Sequence, residues 1–393
     1  PRKALRPDLP RELVLDHADV SRLAARIDGL FRHWFDPDEK SPLGAEGVAQ
    51  LERLLANSFE LPAPLAFELA DEERELLRLT EQQYRVLDML ARQPRVAIAG
   101  CAGSGKTFLA AEKARRLAAQ GFRVLLVVFN VLLGEHLRRG LADEPGITVR
   151  VFHGLCREVA TEAGLDIAAE PEPGQEGEYY QMLVQAFAEH ADVAADWWLP
   201  LQLLLADPDR SPLYVFYDDN QRLFPVPTGL PFLSEPVQLT VNCRNTKRIN
   251  ELVTRFYRGG TIDAPGPEGP PVDRHVYDTQ AELLAQLDEA VARWVGEAEV
   301  APEDIALLTA RSASRSALWQ VDALGGIRLT DDPWERNRIL RCSIFRFKGL
   351  ERLVVGLCEL DGAREQALYV GLSRPSVFLS LFVPRSAERR VPA

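Results

Sequence analysis

The sequence has no long apolar run. No stretch approaches the roughly 18 uncharged apolar residues that a membrane-spanning helix needs, so we expect no membrane association. No signal-peptide pattern follows the N-terminus. The chain begins with Pro1 rather than Met, and we expect it to be part of a longer or processed product. Its 393 residues are 46% hydrophobic and 26% charged, a composition typical of globular domains.

The five cysteines are odd in number and show no C-x-x-C spacing, which argues against a disulfide framework and a structural zinc site. Free thiols in a reducing cytoplasm are the expectation. Basic residues are also fewer than acidic ones, and the formal net charge is −12. This excludes a uniformly basic surface for nucleic acid but leaves room for a local basic groove. Lysine is scarce, so Lys106 and Lys348 stand out.

The chain is predicted to contain a small helical N-terminal segment and two α/β domains. Residues 1–78 show short amphipathic helical patterns broken by proline-containing turns. Residues 79–235 and 236–384 alternate short apolar strands with helices, which predicts parallel sheets of the RecA-like kind with a cleft between them. Residues 385–393 form a tail. The segment Thr80–Arg92 is predicted to be a helix with Thr80 as its N-cap.

Residues 100–107 read Gly-Cys-Ala-Gly-Ser-Gly-Lys-Thr, between a predicted strand and a predicted helix. This is the phosphate-loop pattern in its required context. Gly100, Gly103 and Gly105 permit a tight path on which backbone N–H groups, with that of Ser104, wrap phosphates.

Two side chains of the loop complete the chemistry of a nucleotide site. Lys106 is expected to hold the β- and γ-phosphates, and the Thr107 hydroxyl to complete a magnesium shell. The positive end of the following helix adds to phosphate binding. We therefore expect ATP or a close relative with Mg²⁺.

The ordered motifs between Leu79 and Pro384 resemble those of superfamily 1 helicases of the UvrD/Rep kind, most closely the helicase part of bacterial proteins with a nuclease-related (NERD) domain. Leu79-Thr-Glu-Gln-Gln83 resembles the Q-motif, which implies that Gln83 reads adenine. Phe129-Asn130 and Val151-Phe152-His153 resemble motifs Ia and Ib. The resemblance implies that Asn130, Phe152 and His153 contact single-stranded DNA.

The segment Leu213-Tyr-Val-Phe-Tyr-Asp-Asp-Asn-Gln221 has two interpretations. Taken alone, it is an apolar strand ending in two carboxylates that would bind magnesium. The resemblance instead makes it motif III, with Gln221 as a γ-phosphate sensor, because Val241-Asn-Cys-Arg-Asn245 follows at the spacing of motif IV. Arg244 would then reach the γ-phosphate from the second domain.

Two later segments complete the series. Ser343–Glu351 resembles motif V, which implies that Gly349 and Glu351 approach the nucleotide and that Arg346 or Lys348 faces DNA. Tyr369-Val-Gly-Leu-Ser-Arg374 resembles motif VI. Its Arg374 would act as an arginine finger, a group typically worth about 10³–10⁵ in rate.

The sequence departs from the family at the Walker B acid pair, which is expected between His153 and Leu213. Asp192 and Asp196 are the candidates, but no apolar strand precedes them. Either residues are missing from this sequence, which we favour because both flanking helical patterns remain, or the ATPase is degenerate. The stretch from Asn245 to Cys342 is also short for a UvrD-type enzyme.

The resemblance implies an ATP-dependent DNA helicase or translocase core in the cytoplasm. Its partner would be single-stranded DNA, or a duplex with a single-stranded tail, and a nuclease-related domain in the same chain. Two alternatives remain: a catalytically degenerate, nucleotide-gated DNA-binding scaffold, and an unrelated P-loop kinase that uses Asp218 and Asp219 for its metal.

Overall fold

The computed structural model describes residues 22, 25–26, 65–162, 201, 204–207, 209–218, 220 and 235–391. The chain divides into two compact units, Pro1–Pro62 and Ala63–Ala393, and almost all described residues belong to the second. Most of the predicted helical segment 1–78 therefore lies outside the described residues. No helix in the described ranges is long and apolar enough to cross a membrane.

The described elements of the larger unit alternate between helix and strand. In chain order they are α1 (Leu65–Gln82), α2 (Tyr84–Met89), β1 (Arg95–Gly100), α3 (Lys106–Ala119), β2 (Val124–Val128), α4 (Val131–Gly140), β3 (Ile147–Val151), α5 (Phe152–Glu162), β4 (Leu213–Tyr217), β5 (Val237–Leu239), α6 (Lys247–Thr254), β6 (Asp273–Tyr277), α7 (Gln280–Ala292), β7 (Ile305–Thr309), β8 (Ala323–Leu324), β9 (Ile327–Thr330), β10 (Ile339–Ser343), β11 (Arg352–Cys358), α8 (Glu365–Leu372) and β12 (Pro375–Pro384).

Strand β1 is the centre of a parallel sheet whose described order is β4-β1-β5. Its residues Val96–Ala99 are buried, as expected for a strand that is covered on both faces. The sequence analysis assigned β5 to the second α/β domain, but β5 pairs with β1 in register Ile98–Val237. Leu109 of α3 and Leu239 of β5 pack together in the core of this sheet.

Strands β2 and β3 form a separate parallel pair in the described part of the chain. Helix α3 covers this pair as well as the first sheet, because its Ala111 packs with Leu137 of α4 and Val149 of β3. Helix α3 is thus held from two sides, which fixes the position of the loop that precedes it.

The largest sheet has the described order β6-β12-β11-β7-β10-β9-β8. Its pairings are parallel except for the short β8–β9 hairpin. Strand β7 is fully buried. The core on one face of this sheet also contains Ala102 from the loop after β1 and Leu132 of α4. The large sheet therefore packs directly against the phosphate loop.

The predicted α/β fold with parallel, RecA-like sheets is confirmed. One local prediction is wrong: Thr80 is not an N-cap, because α1 already runs through it and ends at Gln82. The Thr80 hydroxyl donates to the Leu76 carbonyl 3.0 Å away, one helical turn earlier. Serine and threonine inside a helix can satisfy their hydroxyl in this way.

Candidate nucleotide site

The loop between β1 and α3 has the backbone path that its glycines predict. Gly103 and Gly105 both have φ near +77°, a region that side chains with a Cβ rarely adopt. A Cβ at Gly103 would also collide with the side chains of Asn242 and Asn245. Glycine is therefore required at Gly103 by conformation and by the close approach of the neighbouring segment.

Lys106, the first residue of α3, folds its side chain over the loop. Its Nζ donates to the carbonyls of Gly100 at 2.8 Å and Cys101 at 2.5 Å. The Asp218 carboxylate at the end of β4 lies 3.6 Å from the same Nζ. Burial lowers the pKa of Lys106, and the negative charge of Asp218 opposes that shift. The Lys106 amine is thus held over the loop by two backbone carbonyls and a carboxylate.

The oxygen ligands available to a cation at this site are few. Thr107 follows Lys106 at the start of α3, and Asp218 lies on the other side of the lysine. The residues that the structure describes contain no group of three or more His, Cys, Asp or Glu side chains arranged to bind a metal. A hydroxyl and a carboxylate suit Mg²⁺, which binds few protein ligands and shares the phosphates of its substrate.

Gln83 lies beside the start of α3, at the break between α1 and α2. Its Nε2 donates to the Val241 carbonyl at 3.1 Å. Its Oε1 is buried and has no hydrogen-bond partner among the described residues. A Cβ at Gly105 would lie 3.3 Å from this oxygen. Gln83 thus presents an acceptor next to the phosphate loop, where a purine edge with an amino group could satisfy it.

Arg244 approaches the same helix from the segment after β5. Its guanidinium carbon lies 4.2 Å from the centroid of the Phe108 ring, and it forms an ion pair with Glu351. Phe108 is close to the phosphate loop, since it is two residues after Lys106. Arg244 and Glu351, each predicted to approach the nucleotide, therefore pair beside the first turn of α3.

Arg374 follows α8 and is 4% exposed. Its guanidinium donates to the carbonyls of Val370 and Leu350 and to the Ser373 hydroxyl, at 2.8–3.0 Å. Burial lowers its pKa. The hydrogen bonds of Arg374 are thus directed into the lobe formed by the large sheet, while the carbonyl of the preceding Ser373 accepts from Asn245 at 3.2 Å, a residue that adjoins Gly103 of the loop.

Lys348 belongs to the same group of charges. Burial lowers its pKa to about 8, and the charges of Asp218, Arg374 and Lys106 also act on it. The prediction that Arg346 or Lys348 faces DNA stays a prediction. Next to Lys348, Gly349 has φ of +88° and packs against Leu133 of α4.

The residue that contacts the loop backbone from the motif VI segment is Tyr369. Its hydroxyl accepts a hydrogen bond from the Ala102 N–H at 2.7 Å and donates to Asp218 Oδ2 at 3.2 Å. Tyr369 is 1% exposed, and its ring stacks on Tyr257 with centroids 6.3 Å apart. In the sequence, a tyrosine at this position gives no signal of its own beside the neighbouring Arg374.

Buried asparagines join the phosphate loop to the large sheet. The Asn242 amide donates to the side-chain oxygens of Asn245 and Asn250 at 3.0 and 2.8 Å. Asn245 in turn donates to the Pro375 carbonyl at 2.6 Å. The Cys243 N–H donates to the Gly103 carbonyl at 3.1 Å. This network was also missed, since buried amides show no sequence periodicity.

The candidate DNA-contact residues lie at the carboxyl ends of β2 and β3. Phe129 is 59% exposed and packs over Phe152, with ring centroids 4.9 Å apart. Phe152 itself is fully buried, so it supports Phe129 and presents no ring of its own. The His153 ring lies 5.8 Å from that of Phe129, and burial lowers its pKa to about 4.

Asn130 connects this region to the large sheet. Its side-chain oxygen accepts from the Leu133 N–H and caps α4. Its amide donates to the carbonyls of Phe345 and Arg346 at 3.3 and 3.0 Å. Phe345 is 45% exposed, and Arg346 is exposed too. The exposed rings of Phe129 and Phe345 thus lie next to the hydrogen bonds by which Asn130 joins the end of β2 to the segment after β10.

A groove of about 610 Å³ lies beside Phe345. It is lined by Arg311, Arg315 and Arg364, together with Asp361 and small residues. Arg311 is held by ion pairs to Asp361 at 2.7 Å and to Glu359 at 3.3 Å. This is the local concentration of arginine that an acidic chain would need for a nucleic-acid track.

Glu359 organises the wall of that groove. It is fully buried and directly follows β11. Its carboxylate accepts hydrogen bonds from the Thr309 hydroxyl at 2.6 Å and the Ala317 N–H at 2.8 Å, and from the Ser316 hydroxyl. Glu351, the partner of Arg244, directly precedes the same strand.

Several predicted residues lie outside the described part of the chain. They are Gln221, Asp219, Asp192 and Asp196. Their predicted roles stay predictions. The five cysteines are free and buried, as the sequence analysis expected.

No protein-family model matches the chain, and no curated protein matches it. Similar solved structures are helicases. The C-terminal domain of a possible DNA helicase from a Lactobacillus (strain WCFS1) is 18% identical over 36% of this chain and 86% of that chain, with a TM-score of 0.29. Arterivirus nonstructural protein 10, a helicase, is 14% identical over 79% of this chain and 61% of its own, with a TM-score of 0.35.

The structure of the PRRSV helicase is 14% identical over 76% of this chain and 55% of its own, with a TM-score of 0.37. The chain thus spans less than two thirds of the length of these two viral helicases. Such low TM-scores and identities do not show a shared activity.

Proposed function

We propose that this chain is the ATP-dependent core of a superfamily 1 DNA helicase or translocase. One observation carries the proposal: Lys106, Arg244 and the segment that holds Arg374 come from separate parts of the fold and meet at a single loop. Arg244 contacts Phe108, two residues after Lys106. Asn245, whose side chain adjoins Gly103 of the loop, donates to the Ser373 carbonyl next to Arg374 at 3.2 Å. Cations on both sides of a triphosphate stabilise the charge that develops when the terminal phosphoryl group is transferred.

In this proposal the loop N–H groups and Lys106 bind the phosphates of ATP, and Gln83 accepts from the adenine amino group. Thr107 and the phosphates would hold Mg²⁺, with Asp218 nearby, and the ion would neutralise charge on the phosphate oxygens. Arg244 and Arg374 couple nucleotide binding to a movement between the loop and the large sheet. Gln221 would orient the attacking water.

Single-stranded DNA is the proposed partner of the exposed surface around Phe129, Phe345 and the arginine groove. Phe129 and Phe345 offer rings on which bases can stack, and the groove with Arg315 and Arg364 can follow the phosphates. Aromatic platforms beside a basic groove are the usual means of binding single strands without sequence preference. Association with a nuclease-related domain rests on the sequence resemblance.

The alternative is a nucleotide-gated DNA-binding module without turnover. It is favoured by one observation, the lack of an acid pair after an apolar strand between His153 and Leu213. A carboxylate at that position would orient the metal and the water. Nucleotide binding at Lys106 does not depend on it.

The test is ATP hydrolysis with and without single-stranded DNA, for the wild type, Lys106→Ala and the exposed control Lys247→Ala. The proposal expects DNA to stimulate turnover in the wild type and the control, and Lys106→Ala to abolish it. ATP binding without any turnover supports the alternative. Turnover that does not respond to DNA contradicts both.

A further inference from the structure

The Tyr369 hydroxyl contacts the backbone of the phosphate loop. Ala102 is the third residue of the loop, immediately before the left-handed Gly103. Its N–H donates to Tyr369 at 2.7 Å. Backbone N–H groups of such loops are the donors that bind phosphate oxygens. The phenol oxygen thus occupies a position that a phosphate oxygen could take.

The same hydroxyl has a second bond that fixes its orientation. It donates to Asp218 Oδ2 at 3.2 Å, and the same Asp218 oxygen lies 3.6 Å from the Lys106 ammonium. Burial raises the pKa of Tyr369, so the phenol stays protonated and keeps both roles. The chain Ala102–Tyr369–Asp218–Lys106 therefore connects the loop backbone to the loop lysine through one side chain of the large-sheet lobe.

The Tyr369 ring has little freedom to move by itself. It is 1% exposed and stacks on Tyr257 at an interplanar angle of 21°. It also belongs to the core cluster that contains Ala102 and the inner residues of β10 and β11. A ligand that takes the Ala102 N–H must therefore separate α8 from the loop rather than rotate one side chain.

We propose that the Tyr369 hydroxyl competes with a terminal-phosphate oxygen for the Ala102 N–H, and that Tyr369 thereby sets the discrimination between nucleoside triphosphate and diphosphate. The inference rests on the proposed function and names a residue that controls the same site. A diphosphate leaves the contact in place. A triphosphate replaces it, which links recognition of the third phosphate to movement of α8.

The experiment is calorimetric titration of ADP and of the β,γ-imido analogue of ATP, each with Mg²⁺, into the wild type and Tyr369→Phe. Phenylalanine keeps the stacked ring and removes the competing hydroxyl. The triphosphate analogue is expected to bind about three- to tenfold more tightly to the variant, the effect of one hydrogen bond. ADP affinity is expected to change less than about twofold.

Tyr257→Phe is the matched control, since it removes a hydroxyl from the stacked neighbour and leaves Ala102 untouched; neither affinity should change. Tyr369→Met, which also lacks the hydroxyl and adapts to irregular core space, repeats the test if the phenylalanine variant does not fold. Equal changes for both nucleotides, no change, or weaker triphosphate binding would overturn the inference. A wild type that binds neither nucleotide would instead overturn the proposed function.

Discussion

The guanidinium carbon of Arg244 lies 4.2 Å from the centroid of the Phe108 ring. Phe108 is on the first turn of α3, two residues beyond Lys106. Arg244 also pairs with Glu351. An arginine from the segment after β5 is thus held beside the first turn of α3 by an aromatic ring and a carboxylate.

Phe108→Ala should lower DNA-stimulated ATP turnover because Arg244 loses the ring that positions it. A cation–π contact contributes about 0.5–2 kcal/mol, which corresponds to roughly a two- to thirtyfold decrease in kcat. Steady-state kinetics on Phe108→Ala and Phe108→Tyr test this, because tyrosine retains the aromatic face. Equal kcat values for the two variants would disprove the positioning role.

Gly103→Ala should destabilise the fold and prevent nucleotide binding. The residue has φ of +77°, and its Cβ would collide with Asn242 and Asn245. The left-handed conformation alone costs about 1–2 kcal/mol, and the collision adds to it. Gly154→Ala in α5 is the control, since a Cβ there meets nothing within 4 Å and alanine favours a helix by up to about 1 kcal/mol. Urea unfolding of both variants should give opposite signs.

Glu359→Gln should loosen the wall of the arginine groove. The carboxylate accepts hydrogen bonds from Thr309, Ser316 and the Ala317 N–H. In the variant, the side-chain NH₂ group would face one of these three donors and leave it without an acceptor. A loss of about 2–4 kcal/mol in unfolding free energy is expected, with weaker binding of single-stranded DNA. Glu289→Gln, an exposed change on α7, should alter neither. Unchanged stability in Glu359→Gln would contradict the network.

His153 should make stability depend on pH. Burial lowers its pKa to about 4, whereas an unfolded histidine titrates near 6.5. The unfolded state therefore binds more protons between about pH 6.5 and 4, so His153 decreases stability as pH falls through that window. The effect should be on the order of 2 kcal/mol, reduced by partial exposure of the ring. Urea midpoints measured from pH 7 to 4 should fall less steeply in His153→Gln; parallel curves would contradict this.

Phe129→Ala should weaken binding of single-stranded DNA. Its ring is 59% exposed at the carboxyl end of β2, and stacking of one base contributes about 1–3 kcal/mol. Phe122→Ala is the control, because Phe122 is 44% exposed but precedes the amino end of the same strand. Fluorescence anisotropy with a labelled oligonucleotide should show a roughly five- to hundredfold loss for Phe129→Ala only. Equal losses in both variants would place the strand elsewhere.

The sequence predicted local features well. Strand β7, Ile305–Thr309, is predictable from its apolar run between polar turns, because such a run has few alternatives. The loop at 100–107 is recognisable because its glycines are required by backbone geometry. Arg244 and Arg374 were selected through the order of the motifs.

Features that depend on distant contacts could not be predicted. Strand β6, Asp273–Tyr277, was missed because its polar residues hide its alternation. The pairing of β5 with β1 depends on how the sheet is assembled. Phe152 is buried beneath Phe129, and their residue type does not tell which of the two rings is exposed. The hydrogen bond from Ala102 to Tyr369 joins residues that are far apart in the chain.

The position of β11 inside the sheet has a consequence for the two carboxylates at its ends. The strand lies between β12 and β7, with Glu351 at its start and Glu359 at its end, so these carboxylates are separated by eight extended residues, roughly 26 Å. A strand hydrogen-bonded on both sides cannot lengthen. The positions of Glu351, which pairs with Arg244, and of Glu359, which pairs with Arg311, are therefore fixed relative to each other by the sheet.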